Sequence, residues 1–118
     1  MSEDLATLAV ERRGDAVVVR AVGEIDLSNA QSIRDELAAA ARPGRGLVLN
    51  LTGLSYLDSA GIAMIDLLHR ALVQEGLDFR IVAPPGVVVH RVLTLSSMVD
   101  IVPVDESEDA AILAMCGP

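Results

Sequence analysis

Leu47-Val-Leu-Asn-Leu-Thr-Gly-Leu-Ser-Tyr-Leu-Asp58-Ser59-Ala60-Gly61-Ile62 is the stretch on which the reading of this chain turns. Leu47, Leu49 and Leu51 alternate with Val48, Asn50 and Thr52, the period of a strand with one apolar face. A short loop is expected next, and then a helix from Ser59 to about Glu75. Ile62, Ile65, Leu68 and Leu72 recur there at helical spacing, with Gly76 as the stop. Met64 and Leu67 lie beside that stripe, either as further core or as an exposed partner patch. Ser59 thus stands at a helix N-terminus, where unpaired N–H groups and the positive end of the dipole favour an anion. Asp58 and Ser59 are equally good capping residues, which is their plainer role.

Upstream, Ala6 to Arg12 and Ala16 to Val22 read as two strands of a hairpin about the turn Arg13-Gly14-Asp15. Ser28-Asn-Ala-Gln31 reads as a capping box with Ser28 as N-cap. The helix it opens carries Ala30, Ile33, Leu37 and Ala41 on one face and stops at Pro43-Gly44. Downstream, Phe79 to Ala83 forms a strand. Pro84-Pro85-Gly86 introduces a shorter helix with Val88, Val92 and Leu95 inward, Ile101 to Val104 a last strand, and Asp105 to Glu108 a helix ending near Met115. Arg20 and Asn50 interrupt one face of the sheet, unlike strands buried on both sides. The expected fold is therefore two-layer α/β: a mixed, mostly parallel sheet of 4–5 strands, with about four helices mainly on one face. Parallel crossovers of this kind are right-handed, and sites on such sheets gather at the C-terminal strand ends.

Composition narrows the function. The 118 residues suit one domain over residues 1–118, with a net charge of -8 and no lysine among its nine basic residues. That removes the P-loop lysine, Schiff-base and pyridoxal chemistries. Tyr56 and Phe79 are the only aromatic residues, so direct nucleic-acid binding, which wants positive charge and stacking rings, is not expected. No apolar run is long enough to span a bilayer, the acidic opening Met1-Ser-Glu-Asp4 lacks the plan of a signal peptide, and Cys116 stands alone. A cytoplasmic protein without membrane insertion is the expectation.

Catalytic alternatives find little support in the residues. The nucleophile elbow fails because Leu57 occupies its first glycine position. His69 lies about 15 Å along the helix from Ser59, while spacing leaves His90 open as a base. No His, Cys or acidic spacing closes a metal shell, so neither metal nor cofactor is expected. Asp26, Asp58 and Asp66 do not make a receiver-type acidic pocket, which would need a lysine.

Leu54-Ser-Tyr-Leu-Asp58-Ser59-Ala60-Gly61-Ile62 resembles the central signature of the anti-sigma factor antagonist family, the small bacterial STAS domains. Gly23-Glu24-Ile25-Asp26 is similar to that family's loop ahead of its first helix. The resemblance implies a binding protein, not an enzyme. Its unphosphorylated form would bind an anti-sigma factor that is also a serine kinase, releasing the sigma factor. Phosphorylation at the position matching Ser59 would switch binding off, and a phosphoserine phosphatase would reset it. Asp26 matches the loop aspartate that supports kinase binding. The partner surface implied comprises Asp26, Ser28, Tyr56, Asp58, Ser59, Ala60, Gly61 and Ile62. Ala60 departs from the Ser or Thr common there, leaving a single candidate hydroxyl. The alternative is a STAS scaffold subunit of a stress-sensing or transporter complex, with no phosphorylation cycle.

Overall fold

The computed structural model describes residues 5–117, so the acidic opening Met1 to Asp4 lies outside the described residues. Five strands, β1 (Ala6–Arg13), β2 (Ala16–Ile25), β3 (Gly46–Leu57), β4 (Asp78–Val82) and β5 (Val104–Asp105), form one sheet in sequence order. β1 is antiparallel to β2, and the remaining neighbours are parallel. Helices α1 (Ala30–Ala41), α2 (Ser59–Gln74) and α3 (Val88–Leu95) fill the three crossovers, and α4 (Glu108–Cys116) follows the last strand.

This strand order explains the layering. Crossovers of one hand that always step the same way across a sheet put their helices on one face. Val17, Val19, Leu47, Leu49 and Ile81 form that face and meet Leu37, Leu68 and Leu93 in the main core. α4 belongs to no crossover, so it folds under the opposite face, where Ala111 and Met115 cover Ala16, Val18, Val48 and Val82. Three helices share a face as expected, and the other face is open only beyond α4. The polar residues that interrupt it have partners. Glu108 accepts from Arg20 Nε at 2.7 Å and from Asn50 Nδ2 at 2.7 Å, and Arg13 reaches both Glu108 and Asp109. The Arg20 guanidinium holds the Glu108 carboxyl down at about 2.

Several boundaries differ from the sequence reading. β3 does not give way to a loop after Thr52 but runs on to Leu57, because register shifts let β2 and β3 stay paired as far as Ile25 and Leu57. α3 is rotated from its expected phase: Val89 and Leu93 are buried, whereas Val88 and Leu95 are exposed. Of the expected strand Ile101 to Val104 only Val104 is strand, as the start of β5 (Val104–Asp105); Ile101 to Pro103 is irregular backbone following a 3-10 turn over Met98–Asp100. Pro103 has no N–H to contribute, yet its carbonyl accepts from the Ile81 amide at 2.9 Å. Met64 belongs to the core, while Leu67 is exposed.

Candidate functional site

Glu24 pairs with Tyr56 and Ile25 with Leu57, so β2 and β3 end side by side. Ile25 and Leu57 are buried and anchor both exits in the core. Asp26 and Asp58 follow them directly, each beginning the turn into a helix. The Asp58 amide donates to the Ile25 carbonyl at 3.4 Å, extending the ladder by one residue.

Asp58 caps α2. Its backbone is extended, and its Oδ1 accepts from the Ala60 amide at 2.9 Å and the Gly61 amide at 3.1 Å. Two of the amides that a helix start leaves unpaired are thereby satisfied. The N-terminus is not vacant for an incoming anion, because a carboxylate already occupies it. Ser59 is the first residue of α2 and is exposed. Its hydroxyl takes part in no hydrogen bond among the described residues. Gly61 is buried, and a Cβ there would overlap Cδ1 of Leu57 and crowd Cγ2 of Ile25. The missing side chain lets the first turn of α2 settle onto the strand ends. Ala60 and Ile62 are half-buried against the core.

The loop before α1 is built differently from the expected capping box. α1 begins at Ala30 with Asn29 in the capping position, and among the described residues no side chain caps it. Ser28 belongs to the preceding turn: its hydroxyl donates to Asp26 Oδ1 and its amide does the same at 2.8 Å. Asn29 turns back instead, accepting the Asp26 amide at 2.9 Å and donating to the Glu24 carbonyl at 2.9 Å. The hydrogen bond from Ser28 holds the Asp26 carboxyl below its ordinary range. Asn29 was not singled out in the sequence, although an asparagine three residues after an aspartate in a loop is a turn signal. Gly23 completes the loop: its φ is 113°, and a Cβ would overlap the Leu5 carbonyl oxygen.

The strand ends therefore gather Asp26, Ser28, Asp58 and Ser59, with Ala60, Gly61 and Ile62 in the first turn behind. Tyr56 stands apart. It is exposed and alternates with inward-facing Leu57, which sends it to the sheet face opposite α2. Neither His69 nor His90 hydrogen-bonds Ser59 among the described residues. Among those residues, no group of three or more His, Cys, Asp or Glu could hold a metal ion, and no helix is long and apolar enough to cross a membrane.

Comparison with known proteins bears on the family and the fold. The anti-sigma F factor antagonist of Paenibacillus polymyxa is 29% identical over 105 residues, spanning 86% of this chain and 87% of that protein. The anti-sigma-F factor antagonist RsfA of Mycobacterium tuberculosis is 28% identical over 108 residues, spanning 89% of this chain and 84% of that protein. An anti-sigma factor antagonist from Mycobacterium paratuberculosis has a solved structure that superimposes with a TM-score of 0.81 at 25% identity, covering 93% of both chains. The STAS domain family matches over residues 7–111, the five-stranded sheet, α1 to α3 and the start of α4, and the chain belongs to that family.

Proposed function

We propose that this protein is an anti-sigma factor antagonist whose unphosphorylated form binds an anti-sigma factor serine kinase, and that phosphorylation of Ser59 switches the binding off. The observation that carries this reading is the division of labour between Asp58 and Ser59. Asp58 does the capping, so the exposed Ser59 hydroxyl is not needed for folding and is accessible to a kinase. The names of the two curated relatives support the same role.

A phosphate on Ser59 would add about -1.5 to -2 charge. Its attraction to the helix dipole is worth about 0.3–2 kcal/mol, which leaves the fold intact. The Asp58 carboxylate already holds the Ala60 and Gly61 amides, so a phosphate on exposed Ser59 would meet solvent or a docked partner. Weakening a complex 100-fold takes about 2.8 kcal/mol, within reach of a dianion placed against a closed interface. A phosphoserine phosphatase would restore binding.

Incubation with the purified kinase and ATP tests the proposal by intact-mass measurement. One phosphate gained by the natural chain and none by Ser59→Ala is the expected result. No gain on either chain would overturn the switch and favour the scaffold role.

A further inference from the structure

We propose that the trough between α1 and α2 is where the partner lodges an apolar segment bearing a carboxylate; this rests on the reading of Ser59 given above. Leu27, Ala30, Ala60, Ala63, Met64 and Leu67 line an open depression of about 340 Å³. Leu27 is 84% exposed and Leu67 is 47% exposed, so the chain's own core uses neither fully. Single exposed leucines are ordinary, but these two line one continuous depression. Both signature loops feed it: Leu27 lies between Asp26 and Ser28, and Ala60 follows Ser59. A partner touching Ser59 is therefore already at the mouth of the trough.

Charge sets the chemistry of the occupant. Among the described residues, Arg34 is the only ionised side chain lining the trough, in a chain of net charge -8. The carboxylate it pairs with among those residues is Asp35 on its own helix, loosely placed at 3.9 Å from Nε. A carboxylate beside the partner's aliphatic side chains would meet attraction here and repulsion from acidic surface elsewhere, which fixes its orientation. A second copy fits poorly. A two-fold contact through this trough would bring two Arg34 side chains into one interface and join two chains of charge -8.

The test is titration of the purified anti-sigma factor kinase from the same genome. Leu67→Asp and Ala63→Leu, both at exposed positions, should weaken binding at least tenfold with unchanged melting temperature. Arg34→Glu should weaken it at low salt, with the difference shrinking as salt rises. Natural affinity in Leu67→Asp and Ala63→Leu would overturn the trough, while loss of binding by Ser59→Asp in the same series would leave the switch standing. The reverse pattern would retain the trough and remove the switch. A chain dimer broken by Leu67→Asp, with kinase binding unaffected, would overturn the proposal in favour of a second copy.

Discussion

Asp58 Oδ1 accepts the Gly61 amide at 3.1 Å, while Gly61 itself lies against Leu57 and Ile25. One contact thus joins the helix start to the end of the sheet. Asp58→Ala removes the acceptor for two amides and should cost about 1 kcal/mol, within the range of about 0.5–2 kcal/mol for lost caps. Asp58→Asn keeps a side-chain oxygen and should cost less. Urea unfolding of the two variants measures the difference, and an unaltered Asp58→Ala midpoint would mean that water replaces the cap at no cost.

Gly23 argues a second prediction. Its positive φ disfavours any side chain, and a Cβ would also meet the Leu5 carbonyl oxygen. That oxygen accepts the Glu24 amide at 2.9 Å, so relief requires breaking the hydrogen bond that ties the chain start to the loop. Gly23→Ala should therefore destabilise by roughly 2–3 kcal/mol, in the class of backbone strain effects. Thermal unfolding checks it, and a loss under 0.5 kcal/mol would show that the segment at Leu5 moves aside freely.

How much of this was legible in the sequence varies by element. The strand-to-helix passage through Asp58 and Ser59 was legible because alternation changes to helical spacing there. The continuation of β3 from Gly53 to Leu57 was not, since it depends on β2 shifting register beside it. Val87-Val88-Val89 gives every phase of α3 an apolar residue, so only packing against the sheet selects Val89 and Leu93. At Ser28, local sequence favoured a cap, but the helix begins one residue later, at Ala30 after Asn29, and Ser28 is held in the Asp26 turn. Arg20 and Asn50 announced a polar face without naming their partner. Glu108 lies 88 and 58 residues away from them.

The Glu108 cluster carries a pH prediction. Arg20 depresses the folded-state carboxyl from 4.5 to about 2, with Asn50 and Arg13 assisting. A depressed carboxyl contributes stability above its unfolded pKa and loses that contribution as pH falls toward the folded value. Glu108→Gln should therefore be less stable than the natural chain at pH 7, by roughly 1–2 kcal/mol given a pair partly open to solvent. The gap should narrow between pH 4.5 and 2. Melting curves of both chains across that range measure it. A constant gap would show that Glu108 contributes through packing instead of charge.

The last prediction separates folding from docking. Asp58, not Ser59, satisfies the amides at the start of α2, and the Ser59 hydroxyl lies outside every internal hydrogen bond among the described residues. Removing or charging that hydroxyl should leave the fold nearly untouched. Ser59→Ala and Ser59→Asp should each unfold within about 0.5 kcal/mol of the natural chain, as surface substitutions do. Their affinities for the kinase should diverge, with Ser59→Ala close to natural and Ser59→Asp reduced. An aspartate carries less charge than a phosphate, so its loss should be smaller than the roughly 100-fold that about 2.8 kcal/mol represents. Paired calorimetric titrations and denaturant curves supply both quantities. Equal affinities would remove Ser59 from the interface, whereas a large stability loss in Ser59→Ala would assign its hydroxyl to the fold.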